Sequence, residues 1–387
     1  MNIPFVKPDL SQQEYTMVLT ALEQGAIGGN GQICAQTQRW LADYLQVKHV
    51  LLTTSCSHAL EVAMLALNLG SGDEVILPSF AFVTAASAAV RQGARPVFAD
   101  IDEATFNIDP ADVVQHITPR TKALVLIHYA GIGCKMAELM AIAEKYNLVI
   151  IEDAAHAIGA TYMRQPLGTQ GHMGCYSFHS TKNIVAGEGG AFVTNDDNFA
   201  RRAEIICEKG TNRSQFLRGE VDKYTWVDLG SSYVLSDLLA ALLLAQLRRL
   251  DEITQARRAL WWRYYHQMAQ LEAEGLVIRP GLDHLAEHNG HIYAFRLTGH
   301  TSQQDIRSQR DLVLAHLKKS GIGATFHFVP LHSSPYGQKY LGYKPGDFPI
   351  TERVSDSLIR LPLYPGLSPE QVDYILDVLA DGLQHVN

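Results

Sequence analysis

The sequence predicts an α/β fold in which a large, mostly parallel seven-stranded sheet is flanked by helices and followed by a smaller α+β domain. Through the first two thirds of the 387 residues, short apolar runs alternate with segments of helical periodicity. Buried parallel strands and their crossover helices produce this alternation. A single hydrophobic core rarely exceeds about 300 residues, so a chain of this length divides in two. We place the boundary near residue 250, giving a large domain over residues 1–250 and a small C-terminal domain over residues 251–387.

Seven apolar runs supply the strands of the large domain. In chain order they lie at residues 49–54, 73–78, 95–101, 122–131, 148–155, 174–180 and 189–195. Three segments with an apolar period near 3.6 residues fall between them and predict helices at residues 57–70, 82–93 and 136–147. The alternation of strand and helix predicts that both faces of the sheet are covered.

The C-terminal part follows a different order of elements. From about residue 196 the pattern turns helical, and it stays so up to residue 275. Beyond this helical part, residues 291–298 predict a strand, residues 308–321 a helix that ends at Gly321, and residues 324–332 a strand that runs into a loop. Mixed elements of this kind predict a small α+β domain.

Composition excludes several classes of partner. Acidic residues outnumber basic ones by 40 to 32, which gives a net charge of −8, and no basic run suggests a nucleic-acid partner. The most apolar windows, residues 79–90 and 233–247, are shorter than the roughly 20 residues that a membrane span needs. The N-terminus has no secretory pattern, and the five cysteines are odd in number and scattered. We therefore expect a cytoplasmic protein with reduced thiols and no membrane partner.

A lysine and a carboxylate are the first candidates for chemistry. Lys182 follows an apolar run and precedes a glycine-rich stretch, and a lysine amine can condense with an aldehyde. Asp153 ends the run at residues 148–155, and ligands of open parallel sheets bind at the carboxyl ends of strands. A carboxylate there could keep the ring nitrogen of pyridoxal phosphate protonated. The alternatives are a solvated loop lysine and a helix N-cap aspartate.

Three further segments suit a flat cofactor that carries a phosphate. Residues 51–64 run from a strand through Ser55 and Ser57 into a helix, and helix N-terminal amides bind phosphate. An ordinary capping turn has the same appearance. Phe82 follows a strand and His156 lies just beyond the strand-end aspartate, so either ring could stack on the cofactor. Packing in the core would account for them equally well.

The order of these motifs resembles the DegT/DnrJ/StrS sugar aminotransferases, a family of fold-type I enzymes that depend on pyridoxal phosphate. The resemblance extends over essentially the whole chain. It rests on the segments TTSCSHALE, PSFAFVTAA, HYAGIGC, EDAAHAIGA, SFHSTKN and EKGTNRSQFLRGEVDKYTWVDLGSSYVLSD.

The resemblance implies a role for each cofactor-binding residue. Lys182 would form the Schiff base with pyridoxal phosphate and then move the proton between substrate and cofactor. Asp153 would pair with the pyridine nitrogen, and Phe82 and His156 would sandwich the ring. The phosphate would be held by Ser177, by the backbone amides of Cys56 and Ser57, and by Ser232, which stands where relatives carry an asparagine that reaches the neighbouring subunit.

The resemblance also implies the reaction and the partners. L-glutamate would donate its amino group to the 4-keto group of a nucleotide-linked sugar by a ping-pong mechanism. The final long segment favours TDP-4-keto-6-deoxy-D-glucose as acceptor and TDP-4-amino-4,6-dideoxy-D-galactose as product, for bacterial surface polysaccharides such as enterobacterial common antigen and O-antigen. The alternatives are amination at a 3-keto position, a UDP-linked 4-keto sugar, and a non-catalytic sensor. A homodimer is expected, since fold-type I sites lie between two subunits.

Substrate-binding residues are harder to identify from sequence. Arg213 lies in a polar stretch and could bind the diphosphate of a nucleotide sugar, because guanidinium groups suit that geometry. A solvated surface loop would explain it as well. His327 and His332 lie where relatives bring small-domain residues toward the sugar. No cysteine or acidic ligand lies near these two histidines in the sequence, so we expect no metal site.

Overall fold

The computed structural model describes residues 2–298 and 303–384, with side chains in the second range from residue 306 onward. In residues 2–250 the strands are β1 His49–Thr53, β2 Glu74–Pro78, β3 Arg95–Ala99, β4 Thr121–Ile127, β5 Val149–Asp153, β6 Thr161–Tyr162, β7 Gln165–Pro166, β8 Met173–Ser177 and β9 Gly190–Thr194. The helices are α1 Gln12–Glu23, α2 Gln32–Leu45, α3 Cys56–Ala66, α4 Thr84–Arg91, α5 Pro110–His116, α6 Met136–Tyr146, α7 Asp197–Cys207, α8 Arg213–Leu217 and α9 Asp237–Arg248.

The strands of the large sheet run in the order β1-β9-β8-β5-β4-β2-β3. β2, β3, β4, β5 and β8 pair in parallel, whereas β9 is antiparallel to both of its neighbours, β1 and β8. Apart from β9, all the strands therefore end at the same edge of the sheet. The predicted fold class is confirmed, and the carboxyl edge is where a ligand site is expected.

Apolar side chains cover both faces of this sheet. On one face, α2, α6 and α9 contribute to a buried cluster that contains Leu41, Leu139 and Leu243. On the other face, α3, α4 and α7 contribute to a second buried cluster, and the buried residues of α4 are all alanine. The apolar window at residues 233–247, which includes most of α9, is thus core, because α9 packs against α1 and α2. No described helix is both long enough and apolar enough to cross a membrane.

The C-terminal part has its own core. Its elements are α10 Leu250–Gln267, α11 Ala269–Ala273, β10 Val277–Ile278, β11 Ala286–Glu287, β12 Tyr293–Leu297, α12 Gln303–Lys319, α13 Pro349–Ser357, β13 Leu358–Leu361 and α14 Pro369–Gln384. β12 lies between β10 and β13 in an antiparallel sheet, and β11 joins β6 and β7 in a further small sheet. Trp261 and Tyr264 of α10 are fully buried in the C-terminal core.

The chain passes from one core to the other near Arg249, between α9 and α10. The division into residues 1–250 and 251–387 stays a prediction. The first residues also contact the C-terminal core, because the Ile3 N–H donates to the Gly321 carbonyl at 2.8 Å and the Ile3 side chain is buried in that core.

The strand expected at residues 324–332 does not form. Thr325 makes an isolated bridge to Arg360, and the segment then leaves β13. Side chains occupy the carbonyls that a strand partner would need: Arg360 Nη2 donates to Phe326 O at 3.0 Å, and Ser355 Oγ donates to Phe328 O at 2.6 Å. The segment is therefore extended but unpaired, and it runs past the carboxyl edge of the large sheet.

Candidate active site

A cavity of about 410 Å³ lies at the carboxyl edge of the large sheet, where residues of the C-terminal part also line it. The ends of β5 and β8 and the start of α3 form one side, and β13 with residues 327–328 forms another. The predicted site residues that line it are Cys56, Ser57, Phe82, Asp153, His156, Ser177, Lys182 and His327. The fold thus brings together side chains that are up to 271 positions apart in the sequence.

Asp153 ends β5, Lys182 follows the neighbouring strand β8, and both line the cavity. Asp153 is the last residue of β5, and its Oδ1 accepts the Ala155 N–H at 3.0 Å. Burial raises the pKa of Asp153, while the Ala155 N–H and the nearby Lys182 charge act to lower it. Lys182 follows β8 in a turn in which its own N–H donates to His179 O at 2.9 Å. Burial lowers the pKa of the Lys182 amine, although the Asp153 carboxylate opposes that effect. A lysine of this kind is a ready nucleophile toward an aldehyde.

The start of α3 supplies an anion site. Ser55 is the N-cap, and its side chain accepts the His58 N–H at 3.2 Å. Cys56 and Ser57, the first residues of α3, line the cavity. The first amides of a helix have no partner within it and carry the positive end of its dipole, so this helix start can bind an anion. Gly190 at the start of β9 touches this turn so closely that a Cβ there would lie 2.5 Å from Cys56 N. Ser177, at the end of β8, is buried and lines the same part of the cavity.

Aromatic rings face the same space. His156 Nδ1 accepts the Ala130 N–H at 3.3 Å, so Nδ1 carries no proton and the ring is neutral. In agreement, burial lowers the pKa of His156 well below its usual range. Phe82 lines the cavity although 59% of the residue is exposed.

Sequence reasoning missed His291, which packs against His156 with ring centroids 4.5 Å apart. Its Nδ1 bonds Asn183 Oδ1 at 2.7 Å, and its N–H donates to Asn289 Oδ1 at 3.0 Å. Asn289 Nδ2 donates in turn to the carbonyls of His156 and Ile158, at 2.7 and 2.8 Å. This network ties the segment before β12 to the segments that follow β5 and β8. The segment HNGHI at residues 288–292 was its only signal in the sequence.

Two buried arginines were also missed. Arg257 of α10 and Arg360 of β13 both line the cavity, and burial lowers their pKa values to about 9 and about 10. With Lys182 they make three basic side chains that line the cavity. A cavity of this charge, in a chain whose net charge is −8, suits anionic ligands.

The other predicted substrate residues lie in different surroundings. His327 lines the cavity, where its Nδ1 lies 3.2 Å from Tyr129 Oη and burial lowers its pKa to about 2. His332 is fully buried outside the cavity and bonds Ser79 Oγ at 2.7 Å and Glu352 Oε1 at 2.8 Å. Both ring nitrogens of His332 are occupied, so its side chain is not offered to a sugar.

Arg213 and Ser232 do not line the cavity of their own chain. The Arg213 guanidinium lies 3.3 Å from Glu208 Oε1 at the surface. Ser232 is exposed and pairs through its backbone with Glu208. Among the described residues no group of three or more histidine, cysteine or acidic side chains could hold a metal ion.

Comparison with known proteins agrees with this geometry. The model of the DegT/DnrJ/EryC1/StrS aminotransferase family matches residues 8–380. The chain belongs to this family. The spore coat polysaccharide biosynthesis protein SpsC of Bacillus subtilis is 34% identical over 382 residues, which are 98% of this chain and 96% of SpsC.

Solved aminotransferase structures superpose on nearly the whole chain. Spr1654 from Streptococcus pneumoniae has a TM-score of 0.91 and 29% identity in its PLP form, and the alignment covers 100% of both chains. PseC from Helicobacter pylori, an aminotransferase involved in the biosynthesis of pseudoaminic acid, has a TM-score of 0.90 and 25% identity, again over 100% of both chains. The fold is therefore that of the fold-type I aminotransferases, and pyridoxal phosphate is the family's cofactor.

The residues of the cavity fit pyridoxal phosphate. The amides at the start of α3 suit its phosphate, the buried Asp153 carboxylate suits a protonated ring nitrogen, and the Lys182 amine suits its aldehyde. No other lysine lines this cavity among the described residues.

Proposed function

We propose that this aminotransferase moves the amino group of L-glutamate to the 4-keto group of TDP-4-keto-6-deoxy-D-glucose, giving TDP-4-amino-4,6-dideoxy-D-galactose. The observation that carries the proposal is the convergence of Lys182, Asp153 and the start of α3 on one cavity of this family's fold. When bound, pyridoxal phosphate takes up the amino group and its ring accepts the electron pair released as the α-proton leaves.

Each protein group has one task in this proposal. The Lys182 amine, whose pKa is lowered by burial, would take the proton from the donor's α-carbon and deliver it to the cofactor carbon to which the amino group passes. Asp153 holds the proton on the ring nitrogen. The amides of Cys56 and Ser57, with Ser177, fix the phosphate, while Phe82 and His156 are proposed to hold the ring plane, and none of these groups changes its charge during the reaction.

Both half-reactions use the same lysine and the same cavity. The keto acid formed from the donor must therefore leave before the sugar can enter, which predicts a ping-pong mechanism. Parallel double-reciprocal lines for L-glutamate and the nucleotide sugar are expected, and converging lines would contradict it.

The nucleotide-sugar substrate is supported by the charge of the cavity and by two relatives. Arg257, Arg360 and Lys182 make the cavity cationic, as a diphosphate ligand requires. SpsC is named for polysaccharide biosynthesis, and PseC for the biosynthesis of pseudoaminic acid. His327, whose neutral ring lies beside Tyr129 in the cavity wall, is the side chain that we propose contacts the sugar.

We propose that the enzyme is a cytoplasmic homodimer in which Ser232 and Arg213 serve the partner's cavity. Both side chains lie outside the cavity of their own chain, and large apolar groups are exposed nearby, among them Trp226 and Leu229 at 76% and 66%. A dimer would cover those groups. Light scattering coupled to gel filtration should give a mass near 86 kDa, twice the 42.8 kDa of one chain, whereas a mass near 43 kDa would contradict the dimer.

Product identification tests the reaction itself. The enzyme, loaded with cofactor, is incubated with L-glutamate and TDP-4-keto-6-deoxyglucose, and the amino sugar is assigned by NMR. An axial amine at C4 is the expected result. Amination at C3, or turnover only with a UDP-linked 4-keto sugar, would show that the proposed acceptor is wrong. A cofactor spectrum that does not respond to L-glutamate would indicate a non-catalytic relative.

A further inference from the structure

One histidine of the cavity has a ring nitrogen that the protein does not use. His291 precedes β12 and lines the cavity, with only 7% of the residue exposed. Its Nδ1 is bonded to Asn183 Oδ1, whereas its Nε2 has no hydrogen-bond partner in the described part of the chain. Which group Nε2 can bind depends on which of the two ring nitrogens carries the proton.

The neighbouring amide fixes the position of that proton. Asn183 is buried, and its Nδ2 donates to the Asn289 carbonyl at 3.2 Å, so its amide oxygen is the atom that meets His291. A carbonyl oxygen only accepts, and His291 Nδ1 therefore carries a hydrogen and donates it. Burial, together with the charge of Lys182, lowers the pKa of His291 well below its usual range. The ring is thus neutral, and Nε2 is an unprotonated acceptor.

His156 has the opposite arrangement. Its Nδ1 accepts the Ala130 N–H, so the proton of this neutral ring lies on Nε2, which has no partner among the described residues. The rings of His156 and His291 lie 4.5 Å apart at an angle of 38° and share no hydrogen bond. Two neighbouring histidines of the cavity wall thus keep one free donor and one free acceptor. A hydroxyl group, which both donates and accepts, matches such a pair.

The free acceptor excludes most of the ligand groups expected in this cavity. Carboxylates and phosphates are ionised at neutral pH and have no hydrogen to donate to a bare ring nitrogen. The amine of the donor reacts at the aldehyde of the cofactor. Hydroxyl groups remain, and they are supplied by the sugar and by the ring of the cofactor.

The position of His291 favours the sugar hydroxyl next to the reacting carbon. Asn183, to which the His291 ring is bonded, directly follows Lys182 in the chain. Of the charges that lower the pKa of His291, that of Lys182 has the largest effect. The free nitrogen therefore lies near the reacting centre. In a 4-keto-6-deoxyhexose, C5 carries a methyl group and the ring oxygen, so the hydroxyl nearest to the keto carbon is that of C3.

We propose that His291 Nε2 accepts a hydrogen bond from the C3 hydroxyl of the sugar acceptor, an assignment that rests on the proposed function of the same cavity. The N–H of His156 would donate to the same oxygen. This contact would add to that of His327 and would make the cavity selective for sugars that carry a hydroxyl beside the keto group.

The test compares the parent enzyme with three variants. His291→Asn places an amide N–H near the position of Nδ1, where it can keep the bond to Asn183, but it removes the acceptor. His291→Gln places an amide oxygen near the position of Nε2. His284→Asn is the matched control, because 89% of the His284 side chain is exposed. Circular dichroism confirms that each variant is folded.

Three measurements separate the roles that His291 could have. Enzyme in the pyridoxamine phosphate form is mixed with TDP-4-keto-6-deoxyglucose or with its 3-deoxy analogue, and the cofactor's absorption gives the rate of amine transfer to each sugar. Enzyme in the pyridoxal phosphate form is mixed with L-glutamate, which has no hydroxyl group of this kind. Titration of the cofactor-free protein gives the Kd for pyridoxal phosphate.

At low sugar concentration, the parent should transfer the amine to the hydroxylated sugar roughly 5- to 150-fold faster than to the 3-deoxy sugar, the ratio expected for one buried hydrogen bond. His291→Asn should reduce this ratio to below about threefold by slowing the reaction of the hydroxylated sugar, and His291→Gln should keep part of it. The glutamate reaction and the cofactor Kd should change less than about threefold. His284→Asn should match the parent throughout.

The proposal is overturned if His291→Asn keeps the parent's ratio, or if the parent accepts both sugars alike. It is also overturned if His291→Asn slows the glutamate reaction as strongly as the sugar reaction, which would show a structural role. A rise of about tenfold or more in the cofactor Kd, with an unchanged ratio, would assign the acceptor to the cofactor's hydroxyl instead. A parent that takes the amino group from L-glutamate but passes it to neither sugar would refute the proposed acceptor itself, and this assignment with it.

Discussion

Gly190→Ala should damage the anion site without touching a ligand directly. An added Cβ would lie 2.5 Å from both Cys56 N and Ser55 O, about 1 Å inside ordinary van der Waals contact. The clashing atoms belong to the backbone and cannot rotate away as a side chain could. Gly190 itself is fixed, because β9 pairs with β1 and β8 along its length. The start of α3 must therefore move. Overpacking of this kind costs about 1–3 kcal/mol in unfolding free energy.

The same displacement should weaken binding of the cofactor. If the amides of Cys56 and Ser57 move away from the phosphate, we expect the Kd for pyridoxal phosphate to rise at least about tenfold, equivalent to roughly 1.4 kcal/mol. Urea unfolding of the cofactor-free protein measures the first effect, and absorption titration measures the second. Gly70→Ala is the matched control, since a Cβ there meets nothing within 4 Å. Parent-like stability and cofactor affinity in Gly190→Ala would refute the described packing of β9 on the turn.

Three further predictions concern charge and positioning. His288, whose pKa burial lowers to about 4, stays neutral in the folded state while the unfolded state takes up a proton below pH 6.5. Unfolding free energy should therefore fall as the pH falls from 7.5 to 5.5, and His288→Gln should reduce that fall by about 1 kcal/mol in urea titrations. Asn289→Ala removes bonds to His156 O, Ile158 O and His291 N–H, and should lower the unfolding free energy by roughly 2–4 kcal/mol. A change below about 0.5 kcal/mol, the usual effect of a surface substitution, would contradict the network. Asp153→Asn should keep the fold and slow the glutamate half-reaction at least about 100-fold in stopped-flow absorbance, and parent-like rates would show that its charge is not needed.

The local sequence pattern was sufficient to predict the large sheet. Each buried parallel strand is a short apolar run, and the helices predicted to cover the sheet show an apolar period near 3.6 residues. The reversed direction of β9 was not predicted. It depends on which strands lie beside it, and the run at residues 189–195 carries no sign of direction. The segment at residues 324–332 alternates like a strand, but side chains of Arg360 and Ser355 bond its carbonyls, and that competition is tertiary.

The candidate site likewise contains residues that the sequence could indicate and residues that it could not. Lys182, Asp153 and the turn at Ser55 stand at the ends of predicted strands, so the sequence could indicate that they share one edge of the sheet. Arg360 lies within a strand among apolar neighbours, where sequence gives no sign of what it faces. His332 has the same residue type as His327 and lies five positions away, yet it is enclosed by Ser79 and Glu352. A histidine's surroundings, rather than its presence, decide whether it can contact a ligand.

The most direct measurement locates the covalent link between enzyme and cofactor. The enzyme loaded with pyridoxal phosphate is reduced with borohydride, digested with trypsin and mapped by mass spectrometry. Because trypsin does not cut after a modified lysine, the account predicts a single labelled peptide over residues 165–201 with the adduct on Lys182. A label on another lysine, or an unlabelled peptide that ends at Lys182, would contradict it.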